Sequence, residues 1–239
     1  MNTIKFDKKN VKMVAHRGVS GLECENTNAA FVAAGNRSYY GIETDMHITA
    51  DGKFVIIHDQ TTKRVSGIDA DVEALPFDAV RGIRLYDKKS GVTRGDLCLP
   101  SLEEYIRICR RYDKVSVLEL KGWGSTEKYA EMIDIIKAYD QIDNTIFISF
   151  GKDNCLMVKE VMPEAKVQYL TSQWKDELLP WLKENGLDLD IYYAAVTKEL
   201  VDLIHENGME INCWTVDNTE DGERLAELGV DYITSNILE

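Results

Sequence analysis

Short apolar runs rich in β-branched residues alternate along the chain with stretches whose apolar positions recur every three or four residues. The runs predict strands at 11–15, 41–48, 54–58, 115–120, 145–149, 166–170, 189–193, 210–216 and 232–234. The helical stretches are at 25–36, 102–111, 126–139, 152–162, 175–185, 198–207 and 221–228. In the first of them Asn26 or Thr27 serves as N-cap and Gly35 as the stop.

Repeated strand-helix units leave two architectures, an open doubly wound sheet and a closed (β/α)8 barrel. The number of units and a length of 239 residues, near the barrel's usual size, favour an α/β TIM barrel. No G-x-G-x-x-G follows the first strand, which counts against a dinucleotide-binding sheet. Nine strand candidates compete for eight places, so at least one lies outside the barrel or at its margin. Residues 59–99 interrupt the rhythm with turn residues and mixed charge. They are expected to form a small insertion after the third strand candidate, on the active-site side of a single domain spanning 1–239.

Composition narrows the function classes. The 28 Lys and Arg against 41 Asp and Glu give a net charge of −13. Such a chain is a poor binder of nucleic acid or anionic membrane, and an anionic substrate needs a local positive site. Cys24, Cys98, Cys109, Cys155 and Cys213 include no C-x-x-C pair, the usage of a cytoplasmic protein with reduced thiols. The first residues lack the apolar core of a signal peptide, and no apolar run is long enough to span a membrane.

Reactive groups of a barrel gather at the C-terminal ends of its strands. Those ends read His16-Arg17, "IETDMH", "IIHD", "LELKG" and "NCWTV". Asp51-Gly52 is a two-residue hairpin signal, and in that register Asp45 faces His58 and Glu43 faces Gln60. Alternation puts Glu43, Asp45 and His47 on one face, with His47 nearer the turn and outside the core site. Clustered carboxylates repel unless a positive charge lies among them. Carboxylate oxygens suit Mg²⁺ or Ca²⁺, and Glu119 is the natural third ligand. Lys121 lies on the same face as Glu119 and can neutralise an anionic substrate. Two histidines near their ordinary pKa suit a general acid and base. Trp214 is available as an apolar wall, and His205, at a helix end, reads as a surface or capping residue.

These pieces resemble the glycerophosphodiester phosphodiesterases: "AHRG" at 15–18, "ENT" at 25–27, "IETDMHITADGKFVIIHD" at 42–59, "LPSLEEY" at 99–105, "LELK" at 118–121, "ISF" at 148–150 and "CWTV" at 213–216. They occur in the family's order over nearly the whole chain. The resemblance implies hydrolysis of a small-molecule glycerophosphodiester to glycerol 3-phosphate and an alcohol. It implies His16 and His58 as acid and base, and a divalent cation on Glu43, Asp45 and Glu119. It also implies Arg17 and Lys121 at the phosphate and Trp214 near the glycerol end. Cys24 stands where the family usually has Pro, and Ser235 where it often has Asp, so the last loop's contacts are expected to differ. Three rivals are a sphingomyelinase D-like lyase, a non-catalytic phosphodiester-binding barrel, and a different metal-dependent barrel enzyme of the aldolase or enolase kind, which the paired histidines and the order of motifs disfavour. The first is disfavoured by the reduced cysteines and the absent signal peptide. The second is disfavoured by the retention of every acid, base and ligand residue.

Overall fold

The computed structural model describes residues 2–87, 90–122 and 124–239. Eight parallel strands close on themselves: β1 (Lys12–Ala15), β2 (Gly41–Ile48), β4 (Val115–Leu120), β5 (Thr145–Ser149), β6 (Lys166–Thr171), β7 (Asp188–Tyr192), β8 (Ile211–Trp214) and β9 (Tyr232–Ser235). Closure is made by β1, which pairs in parallel with β2 on one side and β9 on the other. The ninth strand candidate is β3 (Phe54–Ile56), an antiparallel flap on β2 outside the ring.

Helices α1 (Asn28–Gly35), α4 (Leu102–Arg111), α5 (Thr126–Ala138), α6 (Lys152–Val161), α7 (Leu178–Asn185), α8 (Lys198–Glu206) and α9 (Thr219–Leu228) cover the outside. Local chemistry fixes their ends. Ser101 and Glu104 form a capping box that starts α4, whose buried Leu102, Tyr105, Ile106 and Cys109 recur at helical spacing. Thr27, not Asn26, caps α1, and the helix runs through Gly35 to a C-cap at Asn36. Fully burying side chains such as Phe31 and Tyr105, which meet edge to face, contributes roughly 1.5–3 kcal/mol each.

The strands are buried on both faces. Along β2 the outward residues Ile42 and Met46 join the core under the helices, while Glu43 and Asp45 point into the barrel. The barrel interior is divided. Val14, Val117, Ile146 and Ile148 form an apolar half. Gln168, Asp190, Asn212 and Thr234 form a hydrogen-bonded polar half, with Asn212 as its hub. Residues 59–99 contain the short helices α2 (Lys63–Ser66) and α3 (Phe77–Gly82) and bury a cluster of their own, including Val72, Phe77, Val80 and Leu97, against Cys24 and Val55. None of the five cysteines is in a disulfide.

The β2–β3 hairpin corrects the expected register. Met46 pairs with Ile56 and His47 with Val55, so Asp45 faces Ile57 rather than His58. The loop has three residues, 50–52, closed by Thr49 N–H to the Lys53 carbonyl at 2.8 Å. Gly52, at φ +74°, takes the left-handed position that follows a type I turn. Continued in that register, the ladder would turn His58 to the wrong face. It ends at Ile56 instead, and the chain is then free to turn His58 back toward the barrel mouth.

Candidate active site

The end of β1 turns sharply. Arg17 (φ +53°) and Gly18 (φ +74°) are consecutive left-handed residues, and a Cβ on Gly18 would meet the Ala30 backbone at 2.7 Å. The turn aims the Arg17 N–H at Glu43 Oε2, 2.7 Å away. His16 is held by its Nδ1, 2.8 Å from Asn236 Oδ1, and Asn236 is fixed in turn by Asp217, which accepts from its backbone N–H at 2.8 Å and its side-chain amide at 2.6 Å. Nε2 of His16 is left facing Glu43 Oε2 at 3.9 Å. Burial, with the Arg17 charge, pushes His16 down to about 4.

Glu43, Asp45 and Glu119 come together from neighbouring strands, because Asp45 and Glu119 are register partners. One oxygen from each lies within 4.8 Å of the others, and all three are buried. Three buried carboxyls at this spacing cannot all remain charged unaided. Burial pushes Glu43 and Glu119 up, and Asp45 reinforces both shifts. Burial would raise Asp45 too, but Lys121 and Arg17 hold it below the usual range. Lys121 Nζ is 3.1 Å from Asp45 Oδ1 and 2.5 Å from Glu119 Oε1, and Arg17 Nε is 3.5 Å from Asp45 Oδ2. Asp45 Oδ1 has no hydrogen-bond partner beyond that ion pair. An all-oxygen set of this kind fits a hard divalent cation.

His58 lies across the same cavity, its Nδ1 2.7 Å from Asp59 Oδ1. Burial lowers its pKa, against the opposing pull of Asp45. A network then runs round the rim. Arg64 donates to Asp59 at 2.7 Å and to both Glu25 oxygens at 2.7 and 2.8 Å, and Arg17 donates to Glu25 at 2.8 Å. Burial would raise Glu25, but its bonds to Arg64 and Arg17 bring it down to about 2.

The cavity measures about 110 Å³ and is lined by His16, Arg17, Glu43, His58, Glu119, Lys121 and Trp214, among others. Every residue predicted for the site except Asp45 lines it, and Asp45 is bonded to those that do. Trp214 packs against Phe150 and Tyr192 with ring centroids 5.5 and 5.7 Å away. His47 stands apart, bonded to Glu73 at 2.7 Å and to the His58 carbonyl at 3.3 Å. His205 meets Asp231 at 2.9 Å on the outside of the barrel.

Sequence reading missed several supports. Asn26 donates to Asp45 Oδ2 at 2.7 Å and accepts from Thr44 at 2.7 Å, so "ENT" braces an acid as well as opening a helix. Asp217 directly follows "CWTV" and Asn236 directly follows Ser235, but neither was expected at the site, and Asp190 lies in no motif of the family. For Asp190 a signal existed in "DLDIY", where acids alternate with apolar residues and so point inward along a strand.

Carboxyls, imidazoles and fixed cations at the C-terminal mouth of a parallel barrel define an enzyme built for an anionic substrate. The model of the glycerophosphoryl diester phosphodiesterase family matches residues 16–238. The chain belongs to that family, and so to the phosphoric diester hydrolases. A glycerophosphodiester phosphodiesterase of Caldanaerobacter subterraneus is 31% identical over 236 residues, covering 94% of this chain and 93% of its own. One from Bacillus altitudinis is 28% identical, covering 93% of each. An Oleispira antarctica phosphodiesterase solved with its product sn-glycerol 3-phosphate shares the fold at a TM-score of 0.85 and 23% identity, covering 98% of this chain and 96% of that one.

Proposed function

We propose that the protein hydrolyses glycerophosphodiesters to sn-glycerol 3-phosphate and an alcohol, with one divalent cation and an acid-base pair of histidines. The observation that carries this reading is the gathering of three buried carboxyls, two imidazoles and two fixed cations around one cavity in a chain of this family. Glu43, Asp45 and Glu119 would hold the cation, Mg²⁺ or Ca²⁺, which supplies positive charge opposite the phosphoryl oxygens. Lys121 neutralises two of those acids in their present state and turns to the phosphate once they have another partner. Arg17 is fixed by Glu25 and Asp45 and presents its guanidinium to the same anion.

The two histidines differ in what holds them. The amide oxygen of Asn236 accepts from His16 Nδ1–H, which leaves Nε2 as a proton acceptor. The Asp59 carboxylate behind His58 opposes the burial that lowers its pKa, so of the two imidazoles it is the one suited to protonating the leaving alcohol. His16 thus takes a proton first, from the glycerol 2-hydroxyl, which closes a cyclic phosphate. The roles then exchange as water opens the ring. Normal turnover of a substrate without the 2-hydroxyl would refute the cyclic route. Residues 59–99, read as an insertion on the active-site side, shape the alcohol half. Their Arg64 ties Asp59 to Glu25, which supports that reading. Trp214 offers its ring to the apolar edge of the glycerol. The site takes a small molecule, and no helix among the described residues is long and apolar enough to cross a membrane.

One assay tests the core of this. Release of glycerol 3-phosphate from glycerophosphocholine or glycerophosphoethanolamine should occur, should stop with EDTA and should return with excess Mg²⁺ or Ca²⁺. Turnover unaffected by chelation would remove the cation from the proposal, and no turnover of either diester would remove the substrate class.

A further inference from the structure

Beneath the groups just described, the cavity has a polar floor with an acid that the proposed chemistry leaves unused. Asp190 is 1% exposed, yet it lines the cavity. Its Oδ2 accepts from the Asn212 side-chain amide at 3.1 Å, and its Oδ1 has no partner. Both hydrogens of the Asn212 amide are committed, one to Asp190 Oδ2 and one to Gln168 at 3.4 Å, and its oxygen accepts from Thr234 at 3.3 Å, so Asn212 has no further donor for Asp190 Oδ1. A buried carboxyl oxygen without a partner is costly, and this one, unlike the other unpartnered buried atoms at Tyr39 and Tyr129, belongs to a residue that lines the cavity, where a ligand's hydroxyl can complete it.

The topology says which part of a ligand reaches it. Round the ring, β7 is the fourth neighbour of β2 in both directions, so Asp190 lies diametrically across the barrel from Glu43 and Asp45. Asp190 is level with Asn212, one layer below Trp214, which pairs with Tyr192. A phosphodiester bound between Arg17, Lys121 and the acids at β2 can send only one small arm down and across to Asp190. The walls of that path are Ile148, Leu170 and Trp214, which offer apolar contact. The cavity's 110 Å³ accommodates a short polyol, since one water needs about 10–15 Å³ of such volume.

We propose that Asp190 is a specificity-determining residue: its free oxygen hydrogen-bonds the terminal hydroxyl of the glycerol arm, so the enzyme selects diesters with an unacylated, fully hydroxylated glycerol. This rests on the glycerophosphodiester reading above and adds to it the group that recognises the buried end. The carboxyl acts on the hydroxyl in its neutral or its charged form, as donor or acceptor, and no bond to phosphorus is involved.

The test compares glycerophosphocholine with the analogue in which propane-1,2-diol replaces glycerol, so that only the terminal hydroxyl is missing. The wild type should prefer glycerophosphocholine by about tenfold to a hundredfold in kcat/KM, and D190A should reduce that ratio to near one. D190N, which can still bond a hydroxyl and keeps the partner of Asn212, should retain most of the preference. Calorimetric titration with sn-glycerol 3-phosphate and with methyl phosphate gives a readout independent of turnover. D190A should weaken the first about tenfold and leave the second unchanged. A wild type that treats both diesters alike overturns the proposal even if D190A fails to fold. So does a D190A that keeps the preference. Wild-type protein with no activity on either diester, yet active on bis(p-nitrophenyl) phosphate, refutes the substrate reading itself, and this inference falls with it.

Discussion

The imidazole of His16 shows how a side chain acquires a direction. Strand geometry brings it to the cavity, but the atom that faces the acids is chosen by Asn236, anchored in turn by both oxygens of Asp217. Replacing His16 or His58 with Ala should lower kcat by about 10²- to 10⁴-fold in steady-state assays, while circular dichroism and the melting curve stay near wild type. N236A should cost roughly tenfold in kcat with KM little changed, and N236D should recover part of it, since an oxygen again faces Nδ1. Equal losses in N236A and N236D would assign Asn236 to packing alone. The histidines, acids and cations were legible because each stands at the end of an apolar run. Asn236 was not, because it acts through a partner 220 positions away, and the alternation around Asp190 tells that the side chain points inward but not what it meets there. Ser235 donates to Asp217 Oδ1 at 3.1 Å, the same acid that holds the neighbouring Asn236.

At the level of elements, two turns deliver the two histidines, and glycine is needed in each for a different reason. Gly52 requires a left-handed backbone, but an added Cβ there would meet only the flexible end of Lys128, at 2.8 Å. G52A should therefore destabilise by about 1 kcal/mol in urea unfolding. At Gly18 the obstacle is the backbone of α1, so G18A should cost clearly more and reduce activity with it. Ordinary hairpin chemistry suggested a two-residue turn. Asp51-Gly52 does lie in the turn, but a Gly at φ > 0 serves a three-residue loop as well as a two-residue one, and sequence does not choose between them. The rim network makes a further prediction. Glu25 lies at about 2, below its ordinary 4.5, so it stabilises the fold above that ordinary value and ceases to do so as pH falls through about 2. E25Q should melt earlier than wild type at pH 7, and the gap should close between roughly pH 4.5 and 2. A gap independent of pH would show that the charge on Glu25 is not what matters.

The whole molecule places two fixed cations, Arg17 and Lys121, at the mouth of a barrel whose chain carries a net charge of −13. The barrel itself was legible because alternating strand and helical stretches in this number, with a length near the barrel's usual size, favour closure, which left one strand candidate for a place outside the ring or at its margin. Which candidate was surplus was hidden, because a flap strand and a barrel strand have the same composition. The overall field repels anions while Arg17 and Lys121 attract them at short range. Screening should remove the long-range part first, since the Debye length falls from about 30 Å at 0.01 M to about 8 Å at 0.15 M salt. With saturating cation, kcat/KM for anionic glycerophosphoglycerol should rise a few-fold over that range, while zwitterionic glycerophosphocholine stays nearly flat. A fall for the anionic diester would mean that the pocket's own field dominates at a distance.

The flap strand β3 ends at Ile56, His58 follows, and Asp59 is the first residue of the segment that runs to 99. Anyone exchanging that segment between relatives to change the head group faces a choice of splice point. A junction between 58 and 59 separates an imidazole from the carboxylate that orients it. One placed after Arg64 leaves the tie to Glu25 in the host and transfers only the remainder of the segment, proposed above to shape the alcohol half. Chimeras cut at the later point should inherit a new preference with their proton chemistry intact.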